Sequence, residues 1–278
     1  MDCLVTGGFG QCGTAIIDHL DDSDDYEFTY MNRSGPPDRY DHVANRAVTS
    51  DIANYDEVRS LVEGQDAVVH LAALSNEGPW PQILESNIIG AYNVIEAAKE
   101  VGVETFVFAS TNHVVGMYEE ENAPGIYSLD SDVLLDHTVP IRPDSYYGTS
   151  KAFGEHLTRY YVENHEYPKQ GYSLRICNVS YADEDHPYAG PEQAVADGEY
   201  ERGSEPYERD LVRMKAMWQS RRDFAHQVEC CLEDDDVTYN VFNGVSDNDR
   251  RWFAIEHARE VLGYDPRDNA ERFTEPPT

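Results

Sequence analysis

The chain has 278 residues, with 53 Asp and Glu against 21 Lys and Arg and a formal net charge of −32. Such a surface repels the phosphates of nucleic acid and excludes it as a natural partner, and no apolar run approaches the ~20 residues needed to span a bilayer. The basic residues are 17 Arg and only 4 Lys; self-repulsion on this scale strains a fold in dilute buffer, whereas molar salt cuts the Debye length to ~3 Å and relieves it, so a cytoplasmic protein of an extremely saline cell is expected.

In chain order, strands are expected at about 2–6, 27–31, 46–50, 66–71, 104–109 and 172–177, alternating with helical patterns at 11–20, 54–63, 81–101 and 145–166. This alternation predicts an α/β fold, a Rossmann-type doubly wound parallel sheet whose ligands sit at the carboxyl ends of the strands. The first strand runs straight into Gly7, Gly10 and Gly13, spaced G-x-x-G-x-x-G, and then into a helix. Gly7 allows the tight turn, Gly10 lets a pyrophosphate approach the backbone, and Gly13 lets helix and strand pack closely. Near residue 145 a helix carries Tyr147 and Lys151, four residues apart and therefore on one face. An ammonium close to a phenol favours phenolate, so the pair is suited to taking a proton from an alcohol.

Residues 181–212 lack periodicity and are rich in Gly, Pro, Asp and Glu, which predicts an insertion, either a lid or subunit contact or a solvated loop. Acidic clusters at 21–25, 119–121 and 233–236 are expected in solvated positions. The five cysteines show no C-x-x-C or His/Cys spacing, so no metal site is expected and the thiols read as buried in a reducing cytosol. The first strand begins at residue 2, and no signal peptide is expected.

The glycine loop followed by Tyr147/Lys151 resembles the extended short-chain dehydrogenase/reductases. The resemblance runs over nearly the whole chain through Asp51-Ile52, His70-Leu71-Ala72-Ala73, Asn87 and Phe108-Ala109-Ser110-Thr111. Within that family the likeness is to uronate dehydrogenase and the haloarchaeal NAD-dependent glucose-6-phosphate dehydrogenase. It is carried by Asn112-His113, Arg142-Pro143, Arg213 with Trp218, Ser220 and Asp223-Phe224, and the tail Asp247 to Arg250 and Leu262 to Pro266.

The resemblance implies one extended domain over 1–278, with 1–177 mainly the NAD(P)-binding core and 178–278 mainly a small substrate-binding lobe. It implies cofactor contacts at Gly7, Phe9, Gly10, Gln11, Asn32, Arg33, Asp51, Ile52, Leu71, Ala72, Ala73, Asn87, Tyr147, Lys151 and Ile176. Asn32 stands where the relatives have Asp; an amide followed by Arg33 is compatible with a 2′-phosphate, so NAD or NADP is expected. Tyr147 is the implied proton acceptor, Lys151 lowers its pKa, and Thr111 holds the place of the family's catalytic Ser, with Ser110 the alternative hydroxyl. Substrate contacts are implied at Ser75, Thr111, Asn112, His113, Tyr147, Asn178 and Arg213, the last on a carboxylate or phosphate. The expected activity is oxidation of the C1 hydroxyl of an anionic sugar to a lactone by a homo-oligomer; a nucleotide-sugar epimerase or dehydratase is the rival, disfavoured by the short C-terminal part.

Overall fold

The strand Thr105–Thr111 is buried at all seven positions, a pattern that arises when helices cover both faces of a sheet. In the computed structural model, which describes residues 1–75 and 77–277, it is the fifth of seven parallel strands: β1 (Asp2–Thr6), β2 (Glu27–Asn32), β3 (Ala47–Thr49), β4 (Ala67–His70), β5 (Thr105–Thr111), β6 (Gln170–Ile176) and β7 (Tyr239–Gly244). Their order is β3-β2-β1-β4-β5-β6-β7. The order reverses between β1 and β4, which places a ligand crevice outside the carboxyl ends of those two strands.

The helices are α1 (Gln11–Leu20), α2 (Tyr55–Val62), α3 (Trp80–Ile83), α4 (Gly90–Val101), α5 (Met117–Asn122), α6 (Tyr146–Asn164), α7 (Ala189–Ala196), α8 (Glu205–Met217), α9 (Arg221–Glu233) and α10 (Glu256–Leu262). One core layer joins α1 and α9 through Ile16, Ile17, Phe224, Val228 and Cys231. The other joins α2, α4 and α6 through Val58, Val94, Ala98 and Tyr161. Burial of each large apolar side chain contributes about 1.5–3 kcal/mol, and these two layers hold the site-bearing loops between them.

The long helix expected at 81–101 is interrupted by a π-helical turn at Leu84–Ile89. The wider turn buries Asn87, and π-bulges of this kind mark functional segments. Residues 181–212, expected to be irregular, contain α7 and the first part of α8. Ser204 caps α8 by accepting from Tyr207 N, and Pro206 sits in its first turn. The helix pair was hidden because its private core is small, Tyr188, Tyr207 and Leu211.

Residues on both sides of position 177 build the same sheet and core. β7 pairs with β6 along Tyr239 to Gly244, and α9 packs on α1, so the last hundred residues complete the first layer as well as extending the chain beyond it. β7 escaped the strand pattern because Asn240, Asn243 and Gly244 dilute its β-formers in an edge position. Glu119, expected in a solvated acidic cluster, is buried.

Candidate active site

Gly7 leaves β1 with φ +74°, and a Cβ there would lie 2.8 Å from Ala72 N. At Gly13 a Cβ would lie 2.5 Å from the carbonyl oxygens of both Gly7 and Gly8. Both positions therefore require glycine, the first for its backbone angle and the second for close helix-to-strand packing. Gly10 is the N-cap of α1, so the unpaired N–H groups of the first helical turn meet the loop where an anion is stabilised.

A cavity opens at this loop, lined by Gly7, Gly10, Gln11, Asn32, Arg33, Asp51, Ile52, Leu71, Ala72, Ala73 and Ser75. All of these residues were expected in the site. Cys12, Met31, Ser50 and Ser86 join them; their side chains carry no motif that composition or spacing could have revealed. Of the other expected cofactor contacts, Tyr147, Lys151 and Ile176 line the adjoining cavity, and Phe9 and Asn87 line neither. Phe9 is buried against Tyr30, with ring centroids 6.3 Å apart, so only its backbone remains available to the loop. Asn87 accepts from Leu74 N at 2.8 Å and donates to Leu74 O and Ser150 Oγ, each at 3.0 Å. Its amide ties the Leu71–Ser75 loop to α6 and positions the cavity wall.

At the end of β2 the Asn32 amide donates to Ser34 Oγ at 3.1 Å, fixing a neutral group beside Arg33. A carboxylate at this position would repel a 2′-phosphate, whereas the amide and guanidinium tolerate it.

A second cavity continues from the first, sharing Gln11, Cys12, Leu71, Ala73 and Ser75 with it. Its far wall brings together Ser110, Thr111, Asn112, His113, Tyr147, Lys151, Ile176, Asn178 and Arg213. Residues from β5, β6, α6 and α8 thus converge, separated by as much as a hundred positions in sequence, with Cys177, Val179 and Met217 unforeseen among them. Ser145 sets the start of α6 by accepting from Gly148 N at 3.0 Å, so Tyr147 lies in the first helical turn.

The two candidate hydroxyls at the end of β5 have different fates. Ser110 Oγ donates to Glu155 Oε1 at 2.6 Å inside the protein, where Glu155 also forms a buried two-pronged pair with Arg175, both bonds 2.9 Å. Thr111 Oγ1 makes only long contacts, 3.3 Å from His113 N and 3.4 Å from Asn112 Oδ1, and faces the cavity it lines.

Burial pushes the Tyr147 phenol up to about 12, with the Thr111 hydroxyl working in the opposite direction. Lys151, expected to pull it down, donates to Ala109 O at 2.6 Å and keeps Nζ 6.0 Å from the centre of the Tyr147 ring. Its own ammonium is lowered by burial to about 8. The expected Tyr/Lys proximity is therefore present as a shared wall rather than as a direct contact.

His113 and Arg213 each carry a partner that sequence reasoning missed. His113 Nδ1 lies 2.7 Å from Asp144 Oδ2, and the carboxyl of Asp144, which burial would raise, is held low by the hydrogen bonds of His113 and Ser145. Arg213 binds Glu119 through Nε at 2.6 Å and Nη2 at 3.3 Å. Among the described residues no group of three or more His, Cys, Asp or Glu is placed to hold a metal ion, and no helix is long and apolar enough to cross a membrane.

Comparison with known proteins places this geometry. A model of the NAD dependent epimerase/dehydratase family matches residues 3–196. The NAD-dependent glucose-6-phosphate dehydrogenase of Haloferax volcanii is 40% identical over 276 residues, covering 98% of this chain and 95% of the relative. L-arabinose 1-dehydrogenase (NAD(P)(+)) of the same organism is 35% identical over 278 residues, covering 98% of each. The crystal structure of a mutant uronate dehydrogenase from Agrobacterium tumefaciens complexed with NAD superposes with a TM-score of 0.74 at 31% identity, covering 100% of this chain and 91% of that one.

Proposed function

The chain belongs to the NAD dependent epimerase/dehydratase family, and from that premise we propose that it is an NAD(P)-dependent sugar dehydrogenase, oxidising the C1 hydroxyl of an anionic sugar, a hexuronate or sugar phosphate, to a lactone. The observation that carries this reading is the continuous cleft running from the glycine loop to Tyr147, Lys151 and Thr111.

The first cavity fits a dinucleotide: a glycine turn that any Cβ would block, a helix N-terminus for the pyrophosphate, and Asn32, Arg33, Asp51 and Ile52 at the adenosine end. NAD or NADP bound there supplies the hydride acceptor. Thr111 Oγ1 positions the sugar's C1 oxygen against Tyr147, whose Oη takes the hydroxyl proton. Lys151, its Nζ 6.0 Å from the centre of the Tyr147 ring, favours the phenolate by its charge. Leu71, Ala72, Ala73 and Ile176 form the apolar walls. Ser75, Asn112, His113, Asn178 and Arg213 contact the sugar, and Asp144 holds the His113 ring in one orientation.

Asn32 reads the ribose. Asn32→Asp is expected to shift the preference toward NAD over NADP by about tenfold or more, equal to ~1.4 kcal/mol. The ratio of kcat/KM for the two cofactors measures it, and an unmoved ratio would show that the end of β2 does not face the 2′ position.

Arg213 presents a guanidinium edge to the substrate's anion. Arg213→Lys keeps the charge and removes the fork, so KM for uronates and hexose phosphates is expected to rise several-fold more than KM for neutral aldoses. An equal response to both sugar classes would remove Arg213 from the binding site.

We further infer a homo-oligomer, supported by the exposed Tyr92, Phe153 and Tyr160 on the neighbouring helices α4 and α6. A salt-rich cytoplasm as the working location is supported by the −32 charge and by five buried or half-buried free cysteines. Sedimentation in molar salt tests the first; a monomer at micromolar concentration would refute it.

A further inference from the structure

Arg213 lines the second cavity, yet its charge is already answered. The Arg213 side chain is 34% exposed while its partner Glu119 is 8% exposed. Glu119 reaches it from α5, and the Tyr127 hydroxyl donates to the same carboxylate oxygen at 2.6 Å. Burial alone would weaken the guanidinium's hold on its proton, but the Glu119 hydrogen bond and charge outweigh it and raise the Arg213 pKa.

The bonds to Glu119 use Nε and Nη2, the inner edge of the fork. Nη1 takes no part in these bonds, and Arg213 lines the cavity. A carboxylate or phosphate arriving at Arg213 meets one cation and a second, buried anion already bound to it. The cluster then carries a net negative charge, and salt in the surrounding solution screens groups at this depth poorly.

We propose that Glu119 is a specificity-determining residue of the sugar pocket: it fixes Arg213 by the inner edge and offsets its charge, lowering the preference for anionic over neutral sugars below what Arg213 alone would set. This rests on the cleft being the site of a sugar dehydrogenase. Sequence offered no sign of it, because Glu119 stands in an acidic run that reads as solvated surface.

The test compares kcat/KM for a hexuronate, a hexose 6-phosphate and a neutral aldose, in molar salt with saturating cofactor, between the full wild-type chain and Glu119→Gln. The Gln side chain keeps the shape and an acceptor for Arg213 Nε while removing the charge. The anionic-to-neutral ratio is expected to rise about tenfold or more, chiefly through a lower KM for the anionic sugars. An unchanged or reduced ratio in an active variant overturns the proposal. Tyr127→Phe serves as the geometric control, since it removes a donor to Glu119 and keeps the charge; a shift as large as that of Glu119→Gln would mean that placement rather than charge is decisive, and would also overturn it.

Should Glu119→Gln fail to fold, the neutral pair Glu119→Gln/Arg213→Gln set against Arg213→Gln reads the same charge. The double variant is expected to handle anionic sugars about tenfold better relative to neutral ones, and equality refutes the proposal. A wild-type chain that reduces no cofactor with any of the three sugars would overturn the dehydrogenase reading itself; one that does so while the ratio stays fixed overturns only the role of Glu119.

Discussion

Tyr147→Phe is expected to lower turnover by about 10²–10⁴-fold, the usual contribution of a positioned general base, while binding of the reduced cofactor stays close to that of the wild type. Phe keeps the aromatic ring that meets His113 edge-on with centroids 5.8 Å apart, so the wall of the cavity survives and only the proton acceptor is removed. Because burial holds the Tyr147 phenol up to about 12, oxidation by the wild type should quicken as pH rises from neutrality, where more of the phenol is ionised, and the Phe variant should lose that dependence. Single-turnover measurement of cofactor reduction, with titration of the reduced cofactor by fluorescence, checks both halves. Wild-type rates in the variant would remove Tyr147 from the mechanism.

Glu155→Ala is expected to cost about 3–5 kcal/mol of folding stability. The side chains of Glu155 and Arg175 are each 3% exposed, and the carboxylate accepts two bonds from Arg175 and one from Ser110. Truncating it leaves a buried guanidinium with its charge unanswered and a buried hydroxyl without its acceptor. Denaturant unfolding at fixed molar salt measures the loss, and a change below about 1 kcal/mol would show that water or a neighbouring carbonyl replaces the carboxylate. Since the same carboxylate engages Ser110, next to Thr111 on β5, a surviving variant should also lose activity through a displaced Thr111.

Much of the sheet was legible because its signals are local. The run Leu4 to Gly13 contains its own strand, turn and helix start, and the burial of β4 and β5 on both faces makes them short continuous apolar segments. The fold class and the glycine turn followed from these, whereas the remaining residues of the first cavity were implied by the family resemblance. The parts that escaped are those whose structure depends on distant partners. β7 is a half-polar edge strand held by pairing with β6, and the α7–α8 region has a private core of only Tyr188, Tyr207 and Leu211.

The same distinction applies in the site. Tyr147 and Lys151 were visible by helical spacing, but no spacing shows that Lys151 donates to Ala109 O or that Ser110 is committed to Glu155. Glu119 meets Arg213 across 94 positions of sequence, and Asp144 meets His113 across 31. An acid in an acidic protein gives no clue that it is one of the few turned inward.

The most direct test of the central claim is to mix the full chain with NAD or NADP and a panel of free sugars in high salt, following reduced nicotinamide by its absorbance and the sugar by product analysis. Net cofactor reduction in step with lactone formation from an anionic aldose is the expected result. Conversion of a sugar without net reduction would instead identify an enzyme that regenerates its cofactor within each turnover, as an epimerase does, and would contradict the dehydrogenase reading.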